Sequence, residues 1–270
     1  MTQPPDVLAG PVDVCVAVPK LTLDRPFTYL LPEDAGAGIG SLVSVPFHGR
    51  TARGWVLGPA ADIPGGRLLP VRSVRSPIRF FDPTRLALLR WVSERYVAPL
   101  STVIGRSHPP RVAGEEARAP AGATGRRADP SRPPAGAGAT TWLRPLPGRE
   151  AEECVTAVRA CLEAGRDALV LVPEAEPLPA TARAVLDAFG EAAVAFLGGD
   201  ARGRYRAWLD ILAGTYRVVV GTRPAVFAPL AGLGLVWVSR EVHPAHREDR
   251  APYYHVRDVA MARARLEGAG

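Results

Sequence analysis

The chain has 270 residues, of which 47% are hydrophobic and 22% charged, which accommodates one or two globular cores and excludes a chain unfolded throughout. The formal net charge is +6, and Lys20 is the single lysine among 33 basic residues, so chemistry that needs a lysine ammonium rests on Lys20 or does not occur in this chain. No apolar run reaches membrane-spanning length, and the N-terminus MTQPPDVLAG lacks the basic and apolar parts of a signal peptide, which points to a soluble, cytoplasmic protein with no membrane partner.

From residue 12 to residue 74 the pattern is that of short strands, over residues 13–18, 27–31, 42–47, 52–57 and 69–74. Turn-rich pieces at 32–40, at His48-Gly49 and at 59–66 separate them, so a small twisted sheet or barrel is expected. Asp82 stands at a helix N-cap position with Pro83 after it. Leu86, Leu88, Leu89, Val92 and Tyr96 follow at helical spacing, which predicts a helix over about 83–97 packed on that sheet. Residues 112–140 hold no large apolar side chain after Val112. Such a composition cannot offset the entropy of ordering, and the stretch reads as a flexible linker in which Arg126, Arg127 and Arg132 are solvated, with loose contact to DNA as the alternative.

Beyond the linker the style changes. Helices expected over 150–164, 178–189, 202–213 and 254–267 alternate with apolar strands over 168–172, 193–197, 217–220 and 235–238. Cys154 and Cys161, seven apart, share one helix face and read as small buried thiols; with Cys15 they make an odd number without CxxC spacing, so no disulfide framework or zinc knuckle is encoded. Alternating helices and apolar strands imply a parallel sheet covered on both faces, with ligands at the carboxyl ends of the strands. The loops at 172–174, 221–223 and 239–241 are the places to inspect. The expected organisation is a β-rich domain over 1–111, the linker over 112–140 and an α/β domain over 141–270.

Several strings resemble one family. LTLDRPFTYLLPED (21–34), GSLVSVPFHGR (40–50) and GWVLG (54–58) are similar to the DNA-binding domain that opens primosomal protein N′, the PriA-type replication-restart helicases. ALVLVPE (168–174), VVVGTRPAVFAPLAGLGLVWV (218–238) and YYHVRD (253–258) match the same family's motor half in order. The resemblance implies a small mainly-β DNA-binding domain with a packed helix, then a RecA-like α/β lobe. The family's winged-helix segment is replaced here by the linker. The chain stops at Gly270 where the family continues with a second lobe and a zinc-binding insert, so the reading is a truncated member or a fragment of a longer gene.

In that family the motor is an ATP-dependent DNA helicase using ATP, magnesium and zinc. Its phosphate loop GxxxxGK[ST] cradles the nucleotide phosphates, its lysine neutralises them and its hydroxyl holds magnesium. Counted back from the VPE string, that loop falls on residues 144–151, where Glu150 replaces the lysine and Ala151 the hydroxyl. The acidic second motif falls on 239–242, with Ser239 and Arg240 in place of two acids and only Glu241 keeping its character. Both motifs are therefore expected to be degenerate, leaving no catalytic residue and no cofactor in this chain.

The same resemblance implies a pocket for the 3′ end of a nascent strand, using Phe27, Thr28, His48 and Gly49, with phosphate contacts from Arg25, Arg50 and Arg53. Thr28 stands where the family often has aspartate and His48 where it usually has glycine. A lysine expected near Leu69 is missing. Forked or 3′-ended DNA is the implied partner, with primosome and single-strand-binding proteins as further partners. The implied function is replication restart with an inactive motor; the alternatives are a helicase still active in a longer chain, or a Rossmann-type nucleotide enzyme. The last predicts a glycine-rich turn that residues 172–179 do not contain. Glu241, His243, His246, Glu248 and His255 could ligate a metal only from a loop, because no helical HExxH arrangement exists.

Overall fold

The computed structural model describes residues 7–63, 65–119 and 140–270. The chain divides into two compact units, Met1–Arg106 and Ser107–Gly270.

The first unit is built on five strands, β1 (Gly10–Val16), β2 (Phe27–Leu31), β3 (Ser41–Phe47), β4 (Arg50–Pro59) and β5 (Ser73–Arg79), in the sheet order β2-β1-β4-β3-β5 with every pairing antiparallel. Val12, Val14 and Val16 of β1 alternate into one core with Tyr29, Leu31, Val43, Val45 and Val56, as a half-covered sheet requires. The Leu30 amide donates to the Leu69 carbonyl at 3.0 Å, the Val71 amide to Leu30 at 2.9 Å, and the Arg72 amide to Ser44 of β3 at 2.8 Å. Residues 69–72, which lead into the edge strand β5, thus link the opposite edge strand β2 to β3 and close the sheet into a small barrel through a parallel bridge between Leu30 and Pro70. They do so in place of the ladder strand expected over 69–74, because Pro70 has no amide to donate. The last strand runs instead over Ser73–Arg79.

Helix α1 (Pro83–Arg95) begins as expected, with the Asp82 carboxylate accepting from the Arg85 amide at 2.8 Å and Pro83 in the first turn. Its Leu86, Leu88, Leu89 and Val92 are buried. Helix α2 (Leu100–Arg106) packs on β1, and the Ser101 hydroxyl donates to the Val18 carbonyl at 3.1 Å. On β1 the intervening Cys15 is buried, and burial pushes its thiol up to about 12, so it stays a neutral packing group.

In the second unit a four-stranded parallel sheet has the order β7-β8-β6-β9, from β6 (Asp167–Leu171), β7 (Ala193–Phe196), β8 (Val218–Gly221) and β9 (Leu233–Val238). Helices α4 (Glu150–Glu163) and α5 (Ala180–Phe189) press Cys154, Val158, Ala182 and Val185 onto Ala168, Val170, Val218 and Val220, which form one face. The step β7 to β8 through α6 (Ala201–Leu212) runs opposite to the step β6 to β7 through α5, so right-handed crossovers place α6 on the other face. Helix α7 (Val256–Glu267) closes against β9 and the 3-10 turn Arg223–Phe227, its buried Arg263 donating to the Val226 carbonyl at 2.7 Å.

The stretch expected as linker differs at its start. Residues Ala113–Glu116 form a short helix, α3, with Glu115 and Glu116 buried, and residues 107–119 belong to the second unit. Two carboxylates find arginine partners there, which composition alone does not register. Residues 120–139, with Arg126, Arg127 and Arg132, lie outside the described residues.

Candidate nucleic-acid interface and the carboxyl edge of the parallel sheet

At one end of the barrel an aromatic row forms. Phe27 opens β2 and Phe47 closes β3; their rings meet edge-to-face at 5.0 Å, and Phe47 meets His48 in the same way at 4.5 Å. The guanidinium of Arg25 lies 5.2 Å from the centre of the Phe27 ring. Burial of the two phenylalanines is partial, and Arg25, His48, Arg50 and Arg53 are exposed around them.

His48 and Gly49 form the two-residue turn between β3 and β4, with Phe47 paired to Arg50 across it. Both turn residues have positive φ, +46° and +76°, the left-handed conformation that a tight hairpin demands. A Cβ on Gly49 would meet nothing within 4 Å, so the outer side of the turn is open to a ligand.

Thr28, next to Phe27 in sequence, points to the opposite face, as strand alternation requires. Its hydroxyl donates to the Asp13 carboxylate at 3.1 Å, and Asp13 also accepts from the Ala61 amide at 3.3 Å. The structure therefore brings together Arg25, Phe27, His48, Gly49 and Arg50, leaves Arg53 further along β4, and separates Thr28 from them. Phe47 was missed in sequence although it stands beside His48. So was Arg72, whose guanidinium donates to the Thr51 hydroxyl.

The second region lies at the carboxyl edge of the parallel sheet. Glu150 is the first residue of α4, following Gly148 with φ +80° and Arg149; Ala151 comes next in the helix. The Ser239 hydroxyl, at the end of β9 and 2% exposed, donates to the Glu150 carboxylate at 2.5 Å. The positions that sequence assigns to two separate motifs are thus joined by one short hydrogen bond. Glu152 and Glu153 add two further carboxylates to the first turn of α4, where the helix dipole favours them.

Arg240 follows Ser239 with φ +47° and is exposed, while Glu241 accepts from Arg257 at 3.1 Å. His246 is fully buried and its Nε2 lies 2.8 Å from the Ser239 carbonyl, which can only accept, so that nitrogen carries the proton. Burial holds its pKa below the ordinary histidine value. His243 and His255 each use Nδ1 to accept a backbone amide, from Ala245 and from Arg257, both at 3.2 Å. Among the described residues no group of three or more His, Cys, Asp or Glu could hold a metal ion.

Gly221 closes β8 where a Cβ would come within 2.2 Å of the Ala225 side chain and 2.8 Å of the Phe196 carbonyl, so the turn after β8 is a packing requirement. Arg223 then anchors the 244–248 loop, donating to Glu248 at 3.0 Å and to the carbonyls of Ala245 and Arg247. No described helix is long and apolar enough to cross a membrane.

These features define a two-unit protein in which a closed antiparallel barrel with an arginine-flanked aromatic mouth precedes a parallel α/β unit. Residues 13–109 match the family model of the 3′DNA-binding domain (3′BD) of PriA. Over 270 aligned residues, covering 90% of this chain, the sequence is 36% identical to the "Probable replication restart protein PriA" of Mycobacterium tuberculosis (strain CDC 1551 / Oshkosh). Replication restart protein PriA of Treponema pallidum (strain Nichols) is 30% identical over 89% of the chain, and that of Bacillus subtilis (strain 168) 32% identical over 40% of it. The chain belongs with the PriA-type replication restart proteins. It spans about 40% of the length of the relatives from Mycobacterium and Treponema.

Proposed function

We propose that this chain binds 3′-ended or forked DNA through its N-terminal barrel in replication restart, and that its α/β unit is a RecA-like lobe that no longer takes Mg-ATP. The observation that carries the first part is the row Arg25, Phe27, Phe47 and His48 at one end of the barrel, within the residues that match the 3′DNA-binding domain. A terminal base stacks on the partly exposed Phe27 ring, the open turn at Gly49 admits the terminal sugar, and Arg25, Arg50 and Arg53 meet phosphates. Thr28 contributes through Asp13 and the barrel wall, not through the mouth. Primosome and single-strand-binding proteins are further proposed partners, carried by the family resemblance alone.

For the motor half, a parallel sheet with a helix N-terminus at its carboxyl edge is the arrangement that binds nucleotide phosphates elsewhere. Here Glu150 puts a carboxylate at that helix N-terminus and hydrogen-bonds Ser239 across the space where phosphate and magnesium would sit. Like charge repels the phosphates, and neither a hydroxyl at Ala151 nor a carboxylate at Ser239 is left to hold magnesium. The residues present do not fit Mg-ATP.

Two measurements test these parts separately. Anisotropy with a fork carrying a free 3′ hydroxyl, against the same fork carrying a 3′ phosphate, is expected to favour the hydroxyl. Phe27→Ala should remove that preference and weaken binding by about fivefold to a hundredfold, the range of one stacked base. Equal affinity for both forks in the parent would leave only phosphate attraction. Titration with a fluorescent ATP analogue and magnesium should show no saturable binding, and a saturating curve overturns the inactive-lobe reading.

A further inference from the structure

We propose that Arg118, Arg202 and Arg206 form a binding site for the phosphates of a DNA backbone on the α/β unit, held in position by the buried carboxylate of Glu115. The Glu115 side chain is 3% exposed and is met by Arg202 at 3.2 Å, Arg206 at 3.6 Å and Arg118 at 3.9 Å. The three arginine side chains are 71%, 57% and 68% exposed. One buried anion thus gathers three cations whose outer surfaces face solvent; counting Asp210, whose carboxylate feels Arg206 one turn further along α6, two acids stand against three arginines. Each guanidinium carries five donors in a fixed fork, more than a shared carboxylate can accept, and a phosphate matches the remainder.

The anchor itself is fixed at a second point. Glu116, the next residue, accepts from Arg111 at 2.7 and 2.6 Å and from the Tyr205 hydroxyl at 2.6 Å, which pins α3 to α6. Arg202 and Arg206 stand four apart on α6, where like charges ordinarily repel; Glu115 between them offsets that repulsion and orders both at once. The exposed first turn of α6 offers Ala201, Gly203 and Arg204, with no large apolar side chain on which a protein partner could anchor. A phosphate backbone needs no such anchor. This site rests on the DNA-binding reading above but lies in the other unit, so its failure can be told apart from the failure of that reading.

The test uses the full chain and a single-stranded oligothymidylate ending in a 3′ phosphate, titrated over a salt series. Arg202→Gln with Arg206→Gln is expected to weaken binding about tenfold at low salt and to flatten the slope of log K against log salt by about one. Arg204→Gln, exposed on the same helix but not joined to Glu115, should change affinity less than about twofold. If the double variant melts early, Arg118→Gln gives the same comparison from a residue outside α6. A double variant that binds like the parent, or an Arg204→Gln variant that weakens binding as much, overturns the site. Phe27→Ala should abolish the preference for a 3′ hydroxyl and leave the oligothymidylate salt slope unchanged. A parent that binds neither DNA sinks both readings, whereas a parent that binds with an unchanged double variant sinks this one alone.

Discussion

His48 and Gly49 hold consecutive residues at positive φ, and the two do not bear the strain equally. Glycine adopts that region freely, whereas a side chain there costs about 1 kcal/mol. Gly49→Ala meets no neighbouring atom, so its penalty is backbone strain alone. A destabilisation of about 1 kcal/mol is expected in urea unfolding, and a neutral result would show that the turn relaxes. His48→Gly should act in the opposite direction by a few tenths of a kcal/mol, while removing the imidazole that packs on Phe47. The same hairpin shows what a residue-level reading of sequence catches and loses. The His48-Gly49 turn signal was legible, as were the aromatic Phe27 and the arginines around it. The family resemblance places Thr28 in the pocket with Phe27, yet a period of two sends neighbours to opposite faces. Its partner Asp13 lies across a register that a bulge between Asp13 and Val14 shifts against β4, and no local pattern encodes that.

At the scale of elements, α4 is the decisive one, since its first residue ties the helix to the end of β9. Ser239 is nearly inaccessible to water, while Glu150 keeps part of its surface. Deleting the carboxylate strands a buried hydroxyl, which costs about 1–3 kcal/mol; deleting the hydroxyl leaves a carboxylate that water can still reach. Glu150→Ala is therefore expected to lower stability more than Ser239→Ala, with chemical denaturation as the measurement. The reverse order would show that the carboxylate, not the hydroxyl, is the group that needs the bond. Neither variant should gain Mg-ATP binding, because each leaves the other lost position unrepaired. The helices and strands of this unit follow the sequence pattern to within a few residues, since an apolar strand between amphipathic helices has one way to be buried. Short elements escape it: α3 is defined by Glu115 reaching Arg202 and Arg206 on α6 and by Glu116 accepting from Arg111 and from Tyr205 of α6, a tertiary signal, and β5 is displaced because Pro70 diverts the chain into closing the barrel.

Across the whole molecule, acid sensitivity should fall on one unit. His108, His246 and His255 all have their pKa lowered, burial being the first cause in each, and all three lie within residues 107–270. At His255 the carboxylates of Asp258 and Glu241 oppose the effect of burial, so His108 beside Trp208 and His246 beneath Ser239 carry most of it. A histidine kept neutral by the fold takes up a proton more readily once unfolded. Above about pH 6.5 both states are neutral and nothing is lost. Below it the unfolded chain binds protons that the fold refuses, so stability declines as pH falls toward the depressed folded value, by at most about 1.4 kcal/mol per pH unit for each histidine. Hydrogen exchange at pH 7.5 and at pH 5.5, each corrected for intrinsic rate, should show protection dropping in β6, β8, β9 and α6 and holding in β1, β3 and β4. His246→Gln should lessen the drop, because glutamine donates to the Ser239 carbonyl without titrating. Equal losses in both units would mean that carboxylates, not these histidines, set the acid limit. A barrel that keeps its fold under acid while the α/β unit loosens would also retain the aromatic mouth, so the preference for a 3′ hydroxyl should outlast the salt-dependent contribution of Arg202 and Arg206 as pH falls.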